Sequence, residues 1–472
     1  MNENQESLYS EDGLFECITR FEDMLNRNNS CYFDIFEFEN IIDYYIDQHN
    51  FLNARAAIER GLRQHPYSTS LKYRLAQIYI QNGKPSKGLH FLREIEAMEE
   101  TNCDFFLLKG SALNVLGKKE EAFIAFDRAI KLSSEAKDEV IFNIAYSYLN
   151  TRRYNLAIKY FLLANEVNPK NILVLQELAY VYEKLDKLDK SVIYYNKYLD
   201  LDPYSENTWF NLGMVYVSLE EYNKAIEAYD YAIAICPDYI SAYFSRANAL
   251  INQERYKEAI KSYEEIINLE PDNIQAFTCI GECYEKINLY KRAIHYYKKA
   301  IIIDTTFDDA WFGIGMAHFQ MEEFLLSLKF FLHANSIDPE NPEYWFMLGE
   351  TYKELNILDK SIEAYNRAVE LDPNDYDAWL SHADICFMEN NLFEAITILK
   401  KAYQYNKEIS AINYNLAAYY LYNNQPNLAS EFFEKGLSIN FSEHRDLLSR
   451  YPLTSHNELF SKLIRKYKNF SH

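Results

Sequence analysis

Two cysteines stand close enough together in this 472-residue sequence to suggest metal chemistry. Cys279 and Cys283 are one helical turn apart, so a helix would place both thiols on one face. A structural zinc ion held by such thiols needs four ligands in all. No second Cys or His pair lies near them in the sequence, and Cys283 falls on a buried apolar stripe. We therefore predict that the chain has no metal site.

Three other features carry residue types used in nucleotide binding or catalysis. Gly313-x-Gly315 has the glycine spacing of a phosphate-binding loop, but the surrounding pattern is helical and a third glycine is missing. His318 and His382 could act as general bases, yet both replace apolar residues of a pattern described below. The sequence has no GxSxG, HExxH or CxxC motif. We predict no catalytic residue, no cofactor and no enzymatic activity.

The segments that carry these residues repeat with a period of 34 residues. Six prolines share one phase of this period, broken only at Thr305, and all four tryptophans share a second phase six residues later. The two sets are Pro169, Pro203, Pro237, Pro271, Pro339 and Pro373, and Trp209, Trp311, Trp345 and Trp379. Self-similarity at such a period is the sequence signature of a stacked repeat array.

One repeat, residues 206–237, shows what each position contributes. Apolar residues recur at helical spacing in two segments, which predicts two amphipathic helices, A and B. Gly213 and Ala225 are small where the two helices must approach closely, and Tyr216 and Tyr229 fill the space beside that contact. Pro237 cannot continue helix B because it lacks an amide donor and clashes with the preceding turn.

This order of residues resembles the signature of the tetratricopeptide repeat family. The resemblance implies an all-α fold, namely a right-handed superhelical solenoid of about twelve helix-turn-helix repeats with terminal capping helices. We assign residues 1–34 to an N-terminal capping helix, 35–443 to the array and 444–472 to a basic C-terminal capping helix. The expected apolar stripes of the two caps are Leu14, Ile18, Phe21 and Leu25, and Leu459, Leu463, Ile464, Tyr467 and Phe470. Terminal units of an array need a polar outer face.

Composition excludes several classes of function. A net charge of −22 argues against nucleic acid as a partner, because phosphate binding needs clustered Lys and Arg. No apolar run is long enough to span a membrane, and the first residues lack the pattern of a secretory signal. Seven cysteines without paired spacing are typical of reduced thiols. We expect a cytoplasmic protein whose basic last thirty residues are a solvated cap; contact of this tail with a membrane or an acidic partner is the alternative.

The resemblance also implies a binding face. In the family, helix A lines the inside of the superhelix, and its positions 2, 5, 9, 12 and 13 vary with the ligand. Aromatic and Met residues fill many of these positions here, and asparagines occur at position 6. The candidate protein-binding residues are Phe142, Asn143, Tyr146, Phe210, Asn211, Met214, Phe244, Phe312, Met316, Phe319, Phe346, Phe387, Met388 and Tyr414. A large exposed apolar patch usually marks a binding site, although tight curvature could instead bury these rings against neighbouring repeats.

The basic side chains with which some family members clamp acidic C-terminal tails are missing. The corresponding positions hold Phe210, Phe244, Gln275 and Asp309. We therefore predict a cytoplasmic, non-catalytic scaffold that holds an extended or helical segment of a partner protein, with an apolar core and a basic rim, in an aromatic and Met-lined concave groove. Two alternatives stay open: an obligate subunit or homo-oligomer whose groove is filled by another chain, and the regulatory partner of a separately encoded enzyme.

Overall fold

The computed structural model describes residues 11–27, 31–134 and 137–468, and the regular structure of these residues is entirely helical. Twelve consecutive helix pairs follow α1 (Glu11–Arg27), and three short helices follow the last pair. The predicted all-α fold and the predicted number of repeats are confirmed. The chain divides into two compact units, residues 1–235 and 236–472, which are described separately below.

The first unit contains α1 and repeats 1 to 6, each made of a helix A followed by a helix B. The helix pairs are α2 (Ile35–Asp47) and α3 (Phe51–Gln64), α4 (Thr69–Gln81) and α5 (Pro85–Ile95), α6 (Cys103–Val115) and α7 (Lys119–Leu132), α8 (Lys137–Asn150) and α9 (Tyr154–Val167), α10 (Ile172–Lys184) and α11 (Leu188–Leu199), and α12 (Glu206–Ser218) and α13 (Tyr222–Ile235). Each helix B packs against its own helix A and, within this unit, against the next helix A.

The second unit contains repeats 7 to 12 and the C-terminal helices. The pairs are α14 (Ile240–Asn252) and α15 (Tyr256–Leu269), α16 (Ile274–Lys286) and α17 (Tyr290–Ile303), α18 (Asp308–Gln320) and α19 (Phe324–Ile337), α20 (Pro342–Glu354) and α21 (Leu358–Leu371), α22 (Tyr376–Met388) and α23 (Leu392–Tyr405), and α24 (Ser410–Tyr422) and α25 (Pro426–Ile439). They are followed by α26 (His444–Arg450), α27 (Pro452–Ser455) and α28 (Glu458–Lys468).

A glycine against an aromatic ring closes many of the repeats. A Cβ atom on Gly213 would lie 2.5 Å from a ring carbon of Tyr229, and one on Gly349 would lie 2.6 Å from a ring carbon of Tyr365. Both rings are fully buried. The glycine in helix A is therefore required because the ring of helix B lies directly on the backbone of helix A, as the sequence pattern predicts.

The turn between helices A and B has the same backbone conformation in all twelve repeats. One residue in each of these turns adopts a positive φ between 53° and 77°, the left-handed region that favours glycine. These residues are His49, Gly83, Gly117, Arg152, Asp186, Glu220, Glu254, Asn288, Glu322, Asn356, Asn390 and Asn424. Successive members are 34 residues apart except between Gly117 and Arg152, where one extra residue is inserted.

The extra residue is accommodated in helix A of repeat 4. Helix α8 has 14 residues, whereas helices such as α6 and α10 have 13. The sequence indicates this shift of phase between Ser134 and Lys137, a segment of which residues 135 and 136 lie outside the described part of the chain. The inserted residue therefore lengthens one helix, while the positive φ of the turns at Gly117 and Arg152 is kept.

The two ends of the described chain differ in complexity. Helix α1 buries Phe21, whose ring meets the rings of Phe33 and Phe38 edge-on. At the other end, Phe460 of α28 stacks on Phe433 of α25, with ring centroids 3.9 Å apart. The short helices α26 and α27, between the array and α28, are absent from the sequence prediction, and Phe470 lies outside the described residues.

Candidate protein-binding face

The predicted phenylalanines at position 5 of helix A are half-buried and pack against helix B of their own repeat. Each packs against the aromatic residue that closes helix B, with ring centroids 5.2–5.9 Å apart. The pairs are Phe142 with Phe161, Phe210 with Tyr229, Phe244 with Tyr263, Phe312 with Phe331, and Phe346 with Tyr365. Each ring therefore stabilises its own repeat and also keeps an accessible edge on the helix-A face.

In the first unit, helices A of repeats 4 to 6 bring several predicted residues to one surface. Tyr146 and Met214 are 43% and 46% exposed, and Asn143 is also exposed. The ring of Tyr146 stacks on Phe142 with centroids 6.1 Å apart. A cavity of about 400 Å³ is lined by Tyr146 and Asn211 together with side chains of repeat 5 between them. Residues that the sequence places 65 positions apart are thus neighbours across one repeat.

In the second unit, Phe312, Met316, Phe319 and Phe346 come together over the core of repeats 9 and 10. All four are half-buried and pack against buried Phe331, Met347 and Leu348. The ring of Phe312 also lies 4.8 Å from the ring of Tyr344 on the next helix A. This group is the largest set of predicted binding residues that the structure brings into one apolar patch.

Tyr414 does not belong to the binding face, and its assignment there is wrong. Its side chain is 2% exposed, and its hydroxyl donates to the carbonyl of Asn440 at 2.7 Å. The physical reason lies on helix B of the same repeat. Gly436 occupies the position that Ala232 has in repeat 6. A Cβ atom on Gly436 would lie 2.8 Å from the Tyr414 ring, so only glycine leaves room for this ring.

Phe387 is half-buried by Tyr419 of the array and by Tyr451 from outside it. It stacks on Tyr419 with ring centroids 4.7 Å apart and meets Tyr451 edge-on at 5.6 Å. Tyr451 lies between α26 and α27. The neighbouring Met388 is 67% exposed and lines a cavity of about 460 Å³ with Phe387, Tyr422 and Tyr451.

A row of carboxylates is the functional feature that the sequence analysis missed. Glu282 and Glu285 of α16, Asp309 of α18 and Glu343 of α20 occupy positions 2, 9 and 12 of helix A, three of the positions that vary with the ligand in the family. Position alone could have identified them. Among the described residues of the second unit, none of these four carboxylates forms an ion pair with a Lys, Arg or His side chain.

The four carboxylates disfavour one another's charge. Burial raises the pKa of Glu285 to about 7, while the neighbouring Tyr297 hydroxyl acts in the opposite direction. One carboxylate oxygen of Glu285 is buried without a hydrogen-bond partner in the described structure. Desolvation raises the pKa of Glu282, and Asp309 raises it further; the pKa of Glu343 is raised in the same way, first by desolvation and then by Asp309 and Asp375. Glu282, Asp309 and Glu343 are exposed and Glu285 is half-buried, so the charges of three successive helices A share one surface on which they repel one another.

The residues considered for chemistry have ordinary structural surroundings. His382 is 3% exposed, and burial lowers its pKa to about 4, so its imidazole is neutral. His318 stacks on Phe330 and lies 2.6 Å from a carboxylate oxygen of Glu323. Burial raises the thiol pKa values of Cys279 and Cys283 to about 11 and about 12. Within the described ranges, no three His, Cys, Asp or Glu side chains are arranged to hold a metal ion, and no helix is long and apolar enough to cross a membrane.

Comparison with solved structures gives matches over parts of the chain. A crystal structure of MamA is 24% identical, covers 34% of this chain and 94% of its own, and has a TM-score of 0.32. The structure described as "YrrB: a TPR protein with an unusual peptide-binding site" is 22% identical, covers 40% of this chain and 96% of its own, and has a TM-score of 0.34. A search of curated proteins found no match.

Family models match the repeats directly. Models described as "Tetratricopeptide repeat" match residues 138–171, 173–205, 274–306, 308–341 and 410–443, residues 240–273 and 342–375, and residues 40–100, and one described as "TPR repeat" matches residues 213–254. Together these matches cover more than half of the chain, and those to single repeats coincide with helix pairs of both units. The chain belongs to the tetratricopeptide repeat family, whose members are protein-interaction scaffolds.

Proposed function

We propose that this protein is a non-catalytic scaffold that holds a basic and partly apolar segment of another protein on the helix-A face of repeats 8 to 10. One observation carries the proposal. In the described part of the second unit, Glu282, Glu285, Asp309 and Glu343 form no ion pair, although the charge of Lys286 acts on Glu282 and Glu285, and they lie beside the apolar patch of Phe312, Met316, Phe319 and Phe346. We also infer a cytoplasmic location, which the seven cysteines without paired spacing support.

The charges explain why a basic segment fits this face. Several carboxylates on one surface repel each other, and a Lys or Arg side chain placed among them removes that repulsion. Complementary charges also speed encounter and exclude acidic competitors. An acidic or uncharged partner that covered this face would take the carboxylates out of water without pairing them, which is unfavourable.

The rings explain why the segment should also be apolar. Phe312 and Phe346 each keep an accessible edge, and burying an aromatic side chain contributes about 1.5–3 kcal/mol when the burial is complete. Because these rings are already half-buried, each contributes less than that range. Central apolar anchors usually dominate an interface, and the surrounding charges then fix orientation and specificity.

The test uses the full chain and a fluorescent peptide of alternating Lys and Leu. The variant Glu282→Gln, Asp309→Asn, Glu343→Gln should bind the peptide at least about tenfold more weakly than the unmodified protein, a loss of about 1.4 kcal/mol. A matched control, Glu265→Gln, Asp272→Asn, Glu363→Gln, removes the same charge from two helices B and one loop of the same unit and should bind as the unmodified protein does. Equal loss in both variants would show that only net charge matters and would overturn the proposed face.

A further inference from the structure

We infer that the helix-A face of repeats 11 and 12 is a recognition site for an arginine–tyrosine pair. In this chain the site holds its own Arg450 and Tyr451, carried by residues 444–455, which we call the strap. A partner segment that carries the same pair binds there in place of the strap. The inference does not depend on the face of repeats 8 to 10, because different residues of different repeats form the site.

Side chains of two successive helices A form hydrogen bonds with the tyrosine hydroxyl. The Tyr451 hydroxyl lies 2.7 Å from the amide oxygen of Asn415 and 3.0 Å from a carboxylate oxygen of Asp384. Tyr419 donates a hydrogen bond of 2.5 Å to the same Asp384 oxygen, which fixes the carboxylate. Tyr451 is 4% exposed, so this recognition takes place out of water, where hydrogen bonds discriminate strongly.

The tyrosine ring and the arginine are recognised by the same group of residues. Phe387 and Tyr419 stack on each other, and the ring of Tyr451 stands nearly perpendicular to both, at 5.6 and 5.8 Å. The second oxygen of Asp384 lies 3.2 Å from the guanidinium of Arg450. A single carboxylate therefore contacts both residues of the pair.

The position of these contacts distinguishes a binding site from an ordinary end cap. Asp384 and Phe387 occupy positions 9 and 12 of helix A in repeat 11, and Asn415 occupies position 6 in repeat 12. These are the positions considered for partner binding elsewhere in the array. Helix α28, in contrast, covers the end of the array by packing on α25. The strap thus occupies the helix-A face, where its Leu447 and Tyr451 also join the buried core, while α28 covers the end of the array.

The strap is also bordered by open space on two sides. A cavity of about 590 Å³ lies between Leu380, Tyr414 and the strap residues Leu447 and Arg450. A second cavity of about 460 Å³ lies between Phe387, Met388 and the strap residues Tyr451 and Pro452. The two helices of the strap have only seven and four residues, too few to be stable without tertiary contacts. Besides the pair, the strap buries Leu447 and Thr454. A segment whose short helices depend on such tertiary contacts and are flanked by cavities can be exchanged for a longer or better-fitting one.

The test empties the site in the full chain and supplies the pair on a peptide. The variant Arg450→Ala, Tyr451→Ala is mixed with a labelled peptide that has the sequence of residues 444–456. We expect it to bind this peptide at least tenfold more tightly than the unmodified protein, and to ignore a peptide in which Ala replaces Arg and Tyr. Adding Asp384→Asn to the variant should abolish binding, because Asp384 contacts both residues. Equal binding by the variant and the unmodified protein, or none by a variant whose circular dichroism is unchanged, would overturn the inference.

Two further measurements keep the result interpretable. If the double variant loses helical structure, Tyr451→Phe, which keeps the ring and removes only the hydroxyl, should still bind the peptide more tightly than the unmodified protein does; equal binding by the two counts against the inference. Dimers of the unmodified protein in light scattering would show that straps are exchanged between copies, and would overturn the assignment to a separate partner. Binding of the Lys and Leu peptide should be the same in all these variants, which separates a failure here from a failure of the proposed function.

Discussion

Glu285 is the residue of the proposed face whose charge depends most on its surroundings. Burial raises its pKa to about 7, well above the value of about 4.3 for an exposed Glu in an unfolded chain. Between these two values the folded state binds a proton that the unfolded state has lost. The contribution of Glu285 to stability therefore falls as pH rises from about 4.5 through 7, and stays unfavourable above that.

Glu285→Gln should consequently stabilise the protein in a pH-dependent way. We expect the free energy of unfolding to rise by up to about 3 kcal/mol at pH 8, since each unit of pKa shift corresponds to about 1.36 kcal/mol, and to change little at pH 5. Urea unfolding at the two pH values measures this difference. Glu354→Gln, on the adjoining helix-A face, is the control. A gain of equal size at both pH values would contradict burial of charge as the cause.

The ionisation of Glu285 should also make peptide binding depend on pH. Glu285 must be ionised to attract a basic segment, and with a pKa of about 7 it is mostly protonated at pH 6 and mostly ionised at pH 8. The affinity for the Lys and Leu peptide should then rise by as much as about tenfold over this range. Fluorescence anisotropy at a series of pH values tests this, and Glu285→Gln should remove most of the rise. A rise that persists in the variant would assign the effect to other carboxylates.

Phe346 shows that stability and binding cannot be separated at position 5. The sequence phase suggests a ring outside the core between helices, whose loss would affect partner binding alone. The structure places this ring against Tyr365, with centroids 5.9 Å apart. We therefore expect Phe346→Ser to lower the free energy of unfolding by about 1–3 kcal/mol as well as to weaken peptide binding. Unchanged thermal unfolding of this variant would contradict the packing described here.

At the scale of the element, the turn between helices A and B is the most uniform feature of the chain. Its left-handed residue is Gly in two repeats, Asn in four, Asp in one and a longer side chain in the other five. This conformation costs an ordinary L-residue about 1–2 kcal/mol, whereas glycine adopts it freely and Asn and Asp tolerate it. Five repeats therefore carry a strained turn that their packing stabilises.

Glu322→Gly should for this reason make the protein more stable. Its φ of 60° is nearly the same as the φ of 57° at Asn356 in the next repeat, which provides a matched control. We expect a gain of about 1 kcal/mol for Glu322→Gly and a smaller one for Asn356→Gly, as measured by urea unfolding. Equal changes at the two sites would show that the identity of the residue in this turn does not matter.

At the scale of the whole molecule, the repeat register predicts which deletions are tolerated. Removal of residues 274–307 takes out one complete helix pair and its connection, and joins two repeats with equivalent surfaces. This variant should stay monodisperse and helical, since each unit of such an array contacts mainly its neighbours. Removal of residues 274–289 leaves α17 without its partner and should cause aggregation. Circular dichroism and size-exclusion chromatography compare the two, and similar behaviour would mean that the register is wrong.

The sequence predicts the array well because its information is local and periodic. Gly213, Tyr229 and Pro237 lie within one repeat, and their roles follow from their spacing in a helix pair. The candidate site is predicted only in part because the depth of each side chain depends on a second repeat or on the strap. Tyr414 is buried because a glycine stands on another helix, and Tyr451 reaches Asp384 across 67 residues with no periodic signal.

The strap has a consequence for the order in which the protein is made. Helices α22 and α24 leave the ribosome before residues 444–455 do, and chains of this kind fold from the N-terminus as they are synthesised. Asp384, Phe387 and Asn415 are therefore exposed on the nascent chain for as long as Arg450 and Tyr451 have not emerged. A partner that is present at the site of translation meets an empty site, whereas one that arrives later must displace a segment already in place.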